Sequence, residues 1–162
     1  MEVVAEKKEL STYDGQFLTF SLNSEEYGIE ILKVREIIGV MDITTVPQTP
    51  DFMKGVINLR GKVIPVVDLR LKFSMHEEEY TQETCVIVVE ADSSQVGIIV
   101  DSVSEVLDIK SGEIEETPSL GQGIDTNFIM GLGKVKEKII ILLDIEQILS
   151  SEVMDIVKLI EE

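Results

Sequence analysis

The sequence predicts an all-β protein: two small barrels of about five strands each around a shared core, with short helical turns and a C-terminal helix. Three observations carry that expectation. Short β-branched runs separated by turn residues recur along most of the 162 residues, as in small barrels and sandwiches. The pattern then starts again after residue 80, closely enough to align with its first occurrence. Each half is under about 70 residues, too short for a good core of its own, so the halves are expected to share one.

The elements follow in order. Residues 1–14 are polar and aperiodic and read as a flexible tail. The first barrel is expected over 15–80. There "QFLTFSL" sets Phe17, Thr19 and Ser21 against Leu18, Phe20 and Leu22, the alternation of a strand. "NSEE" is a turn, "YGIEI" a second strand, "ILKV" one helical turn and "REIIGVM" a third strand. "TTVPQTPDF" holds two prolines and reads as a loop. "GVINLR" and "KVIPVVDL" make a hairpin pinched at Arg60 and Gly61, and "LRLKF" a short turn of helix. The second barrel is expected over 81–149: "CVIVVEA", the turn "DSS", "QVGIIVDSVSEVLDI", a long polar loop from Lys110 to Asn127, "FIMGLGKVK" and "KIIILLDI". In 150–162, Val153, Ile156, Val157 and Ile160 share one helical face, with Ser150 or Ser151 as cap; the stripe is expected to pack on a barrel.

The repeat aligns in two segments, the first of them, "YGIEILKVREII" against "VGIIVDSVSEVL", without a gap. Gly28 falls on Gly97, Ile29 on Ile98, Val34 on Val103, Glu36 on Glu105 and Ile37 on Val106; Gly55 falls on Gly131, Arg60 on Lys136, Lys62 on Lys138 and Asp68 on Asp144. Arg60 at the tip of an apolar hairpin has two readings. It pairs with Glu36, with Lys136 and Glu105 as a weaker copy because lysine lacks the planar fork, or it is an exposed tip residue of little energetic weight. Gly28 and Gly97 read as sites of close packing or unusual backbone where the barrels meet. Pro65 lacks an N–H, so its strand is expected to have an edge or bulge there. Its counterpart is Ile141, which makes the first barrel the more open one and the edge by Val63 a place for a partner.

Chemistry is sparse. The 14 basic residues are spread among 31 acidic ones, net charge −17, which argues against a phosphate-tracking groove or adhesion to anionic membranes. The longest apolar runs are far short of the roughly 20 residues a membrane helix needs, and the N-terminus reads as no signal peptide. The single cysteine, Cys85, fits a reducing cytoplasm, and with one histidine, His76, no metal cluster is expected. Asp68 and Asp144 are the one constellation resembling an active site, since paired carboxylates run acid–base hydrolysis. Both precede short helical segments, where an Asp accepts a backbone N–H as N-cap, and the cap reading is preferred. No catalytic residue and no cofactor is assigned.

The stretches "EEYGIEILKVREI", "VPQTPDFMKGVINLRGKVIPVVDLR", "VGIIVDSVSEVL" and "ILLDIEQIL" resemble the CheW family of chemotaxis coupling proteins, over about Gln16 to Leu149. The resemblance implies two SH3-like five-stranded barrels and a non-enzymatic adaptor. It would bridge the cytoplasmic tip of methyl-accepting chemoreceptors to the regulatory domain of the histidine kinase CheA, in the cytoplasm and recruited to receptor arrays. By position it implies a receptor groove lined by Leu18, Ile31, Val34, Ile37 and Val103, with Glu36 and Arg60 in coupling. It implies a kinase face near Ile43, Met53 and Val63, with a further contact around Leu120. A general β-barrel interaction scaffold is the remaining alternative.

Overall fold

The computed structural model describes residues 15–118, 127–149 and 151–161. The expected tail, Leu120 and the cap at Ser150 or Ser151 lie outside the residues whose side chains are described. Eleven strands appear among the described residues: β1 (Gln16–Leu22), β2 (Glu25–Glu30), β3 (Val34–Gly39), β4 (Met53–Leu59), β5 (Lys62–Asp68), β6 (Cys85–Ala91), β7 (Ser94–Val100), β8 (Ser102–Asp108), β9 (Ile114–Glu115), β10 (Ile129–Val135) and β11 (Lys138–Leu143). Three α-helices accompany them: α1 (Leu69–Lys72), α2 (Ile145–Ile148) and α3 (Ser151–Glu161). Ile31–Lys33 is a 3-10 turn. The polar stretch after Lys110 is not all loop, because Ser111–Glu113 is a second 3-10 turn leading into β9.

Four hairpins, β1–β2, β4–β5, β6–β7 and β10–β11, close through two-residue turns at 23–24, 60–61, 92–93 and 136–137. Every one of those turn residues has φ between 50° and 86°. Two successive positive φ values give a turn whose twist matches that of the flanking strands. Asn23 and Gly61 suit it; Lys136 and Glu137 take it at a cost of about 1–2 kcal/mol each.

The strands form two sheets, in the orders β8-β1-β2-β11-β10-β9 and β3-β6-β7-β5-β4. Each curls on itself. In the five-stranded sheet, Ile38 of one edge and Ile57 of the other meet the same small core of Ile64, Val66, Val86, Val88 and Ile99. In the six-stranded sheet, Leu107 and Ile114 from opposite edges pack on Phe17, Ile109, Ile140 and Leu142. A larger third core lies between the sheets and draws Leu18, Phe20, Leu22 and Ile29 from one, and Met53, Val67, Ile87 and Ile98 from the other. Both faces of β1 are therefore buried, Phe17 and Thr19 on one and Leu18, Phe20 and Leu22 on the other. Helix α3 seals this shared core with Val153, Met154 and Val157. Ile156, on the predicted stripe, packs at its margin.

The sheets do not correspond to the halves of the chain. The five-stranded sheet is continuous, residues 34–100, while the six-stranded one combines β1 and β2 with β8–β11. The boundary expected near residue 80 falls inside the five-stranded sheet. Each repeat unit gives its first hairpin to the other unit's sheet. The parallel pairing Leu142↔Gly28 has Val66↔Gly97 as its counterpart, and Phe20↔Val103 has Val34↔Val89. The repeat is thus real in register, but it is not the sheet-forming unit.

Two local expectations change accordingly. Strand β5 lies between β7 and β4 and is not an edge. Pro65 is accommodated because parallel pairing with β7 begins one residue later, at Val66, whereas its counterpart Ile141 already pairs with Tyr27. Gly28 and Gly97 do serve close packing, but inside each barrel. A Cβ on Gly97 would lie 2.7 Å from Val86 Cγ1, and one on Gly28 3.1 Å from Leu142 Cδ2.

Candidate functional site

The chain crosses between the sheets twice, from β2 to β3 through Ile31–Lys33 and from β7 to β8 through the single residue Asp101. Val34 opens β3 just after the first crossover, and Val103 stands near the start of β8 just after the second. Ile31, Val34 and Val103 are half-buried and pack on the margin of the shared core. The seam between the barrels is therefore lined by apolar side chains that keep part of their surface in solvent. Further along β3, Ile37 is 42% exposed, and its counterpart Val106 on β8 is exposed as well. Leu18 differs from expectation. Its side chain points into the shared core and is buried, because β1 runs between β8 and β2.

Arg60 donates a hydrogen bond to Glu36 and forms an ion pair with it. The opposite ends of the five-stranded sheet thereby meet, since Glu36 is on edge strand β3 and Arg60 on the turn beside edge strand β4. The Arg60 side chain is 70% exposed, so the pair carries little stability. Among the described residues no ion pair joins Lys136 to Glu105; Lys134 instead pairs with Glu115 at 2.7 Å.

The residues expected on a kinase face separate. Val63 is 51% exposed, Ile43 is half-buried against the five-stranded barrel's core, and Met53 is buried in the shared core. Ile43 precedes Thr44, which bridges to Val56 and so covers the outer edge of β4. The following loop, with Met53 and Lys54 at the start of β4, bounds a shallow surface cavity of about 340 Å³.

Asp68 and Asp144 are helix caps, Asp68 at the end of β5 and Asp144 just after β11, strands of different sheets. Asp68 accepts from the N–H of Arg70 at 2.9 Å, the N–H of Leu71 at 3.4 Å and the hydroxyl of Tyr80 at 2.9 Å. Asp144 accepts from the N–H of Gln147 at 3.3 Å. Burial, then the charge and hydrogen bond of Asp68, push the Tyr80 hydroxyl well above the ordinary tyrosine range. The space beside Asp68 holds about 10 Å³, room for one water at most. Each carboxylate is thus engaged in capping its own helix.

An ion pair that sequence reasoning missed lies next to this cap. Arg70 donates from Nε to Asp101 Oδ1 at 2.7 Å and from Nη2 to Oδ2 at 2.6 Å. Asp101 Oδ2 also accepts from the N–H of Asn23 at 2.9 Å. Burial pushes the Asp101 carboxyl up, but the Arg70 hydrogen bond, the Asn23 N–H and the Arg70 charge outweigh it and hold the carboxyl below the usual range. The available signal was the residue two after each cap, Arg70 in one repeat and Glu146 in the other.

A family profile for the CheW-like domain matches residues 16–153. The chain is 46% identical to the chemotaxis protein CheW of Klebsiella aerogenes over 146 residues, which cover 90% of this chain and 88% of that protein. It is 35% identical to the chemotaxis protein CheW of Helicobacter pylori over 137 residues, 85% and 82% of the two chains. Among solved structures, the scaffolding protein TtCheW from Thermoanaerobacter tengcongensis superimposes with a TM-score of 0.78 at 37% identity, covering 86% of this chain and 94% of that one. A match along most of its length, over two curled sheets and a shared core, shows that the chain belongs to the CheW-like family.

Proposed function

We propose that this chain is a chemotaxis coupling adaptor that joins the cytoplasmic tip of chemoreceptors to the regulatory domain of the kinase CheA, working in the cytoplasm at receptor arrays and catalysing no reaction. The observation that carries the reading is the apolar seam, where Ile31, Val34 and Val103 stay half-exposed between two barrels and Ile37 is exposed further along β3. Half-exposed apolar side chains in a row mark partner sites, and such a seam suits the apolar face of a receptor helix. The Arg60–Glu36 pair is assigned to holding one wall of that seam, and Val63 and Ile43 to the kinase side. Acidic charge over the rest of the surface suits partners with basic patches.

Binding of a receptor cytoplasmic fragment and of the CheA regulatory domain to the full chain tests the assignment. Val34→Glu is expected to abolish receptor binding while leaving CheA binding and a folded chain in place. Val63→Glu is expected to do the reverse. Loss of both activities in either variant would return the protein to an undivided interaction scaffold.

A further inference from the structure

We propose that Arg70 is a positioning residue that fixes the angle between the two barrels by gripping the crossover at Asp101. This rests on topology. Among the described residues, only two covalent links pass between the sheets, the three-residue turn Ile31–Lys33 and the one residue Asp101. Any rotation of one barrel against the other must flex at both. Each link is tied by an ion pair to the short helix that follows a capped strand end. Lys33 bonds Glu146 of α2 at 3.1 Å, and Asp101 is held by Arg70 of α1.

The two ties are not equivalent. At the positions related by the repeat, Glu146 replaces Arg70 and Leu32 replaces Asp101, so the ion pair shifts to Lys33 with the charges reversed. Lys33 and Glu146 meet through a single contact with side chains 34% and 46% exposed. Arg70 and Asp101 meet through two parallel bonds with side chains 15% and 30% exposed. The planar fork fixes direction as well as distance. Asp101 also receives the Asn23 N–H and donates its own N–H to Ser21 O at 3.0 Å, both on the β1–β2 hairpin of the six-stranded sheet. Arg70 stands on α1 directly after β5 of the five-stranded sheet, and its Nη1 reaches His76 O at 3.3 Å. One guanidinium thus joins groups from both barrels across a point where the chain has no slack. Val103, two residues beyond Asp101, is then set at its place on the seam by this grip.

The functional weight of this device rests on the receptor-face reading of the seam, but the device itself is measurable without a partner. In the full chain with Cys85→Ser, spin labels at Lys62→Cys and Lys138→Cys stand on exposed positions of the two sheets. Pulsed electron resonance then reads the inter-barrel distance distribution. Arg70→Gln and Asp101→Asn are each expected to broaden it, Arg70→Lys to restore it in part, and Lys134→Gln, which breaks the Lys134–Glu115 pair inside the six-stranded sheet, to leave it narrow. Should Arg70→Gln fail to fold, Asp101→Asn keeps shape and the Asn23 bond and decides the matter. Receptor-fragment affinity is expected to fall about tenfold with the broadening. Unchanged distributions in both variants overturn the proposal, whatever happens to binding. Broadened distributions with unchanged affinity support the grip and overturn the receptor-face reading.

Discussion

Replacing Asp68 and Asp144 by alanine, one at a time, separates what the repeat shares from what it does not. The backbone settings are alike: the N–H of each bonds the carbonyl of Phe52 or Phe128 at 2.8 Å. The side chains differ. Asp68 is 2% exposed and holds two backbone N–H groups and the Tyr80 hydroxyl, whereas Asp144 is half-buried and holds one N–H at 3.3 Å. Loss of a cap costs about 0.5–2 kcal/mol, and stranding a partly buried hydroxyl adds about 1–3 kcal/mol. Asp68→Ala is therefore expected to cost about 2–4 kcal/mol and Asp144→Ala about 0.5–1 kcal/mol, read as urea midpoints at constant slope. Asp68→Asn keeps an acceptor and recovers part of the loss. A cycle with Tyr80→Phe is expected to be non-additive by about 1 kcal/mol. Equal losses at the two aspartates would refute the reasoning, because they would show that the buried Tyr80 bond contributes nothing.

Gly97→Ala is expected to destabilise by about 1–3 kcal/mol, since its Cβ would press on Val86, while Gly28→Ala costs less because the flexible end of Leu142 gives way; urea midpoints rank the two. Glu137→Gly relieves a side chain at φ 67°, and the relief of about 1–2 kcal/mol exceeds the added freedom of the unfolded chain, about 0.4–1 kcal/mol, so the melting temperature rises. The lowered Asp101 carboxyl contributes stability that is present above the ordinary carboxylate range and is lost as pH falls through its own lower value. Asp101→Asn is therefore expected to flatten the acid limb of the stability–pH curve, measured by urea titrations in steps from neutral pH downward.

Much of the fold was legible because the signals were local. The alternation in β1, the turn pairs and the two capping aspartates each depend on residues within a few positions of one another. The Arg60–Glu36 pair was legible as one of two readings because the repeat supplied a second copy for comparison. Leu18 and Met53 were placed on surfaces, yet both enter the shared core, since sequence does not say that a strand has two buried faces when a third layer covers the second. Pro65 was read as an edge, yet a one-residue delay in pairing accommodates it. The Arg70–Asp101 pair was out of reach for the same reason. Its partners are 31 residues apart, and only the exchange of hairpins between sheets brings them together.

That exchange makes a sharper prediction about the chain as a folding unit. Hairpin β1–β2 completes the six-stranded sheet through the antiparallel pairing β1–β8 and the parallel pairing β2–β11. Hairpin β6–β7 completes the five-stranded sheet through β3–β6 and β5–β7. A cut in the exposed acidic stretch, between Glu78 and Glu79, leaves each fragment with a hairpin whose sheet partners lie on the other fragment. Neither fragment can close a barrel, and each exposes its share of the core that both repeats build. Residues 1–78 and 79–162 are therefore expected to be unfolded alone and to assemble when mixed, with dispersed amide resonances appearing only in the complex. Barrels made from consecutive strands would behave in the opposite way, each fragment folding by itself and gaining little on mixing. Folded spectra from either isolated fragment would mean that the hairpins find partners within their own half, and the register equivalence between Leu142↔Gly28 and Val66↔Gly97 would then no longer account for how the chain folds.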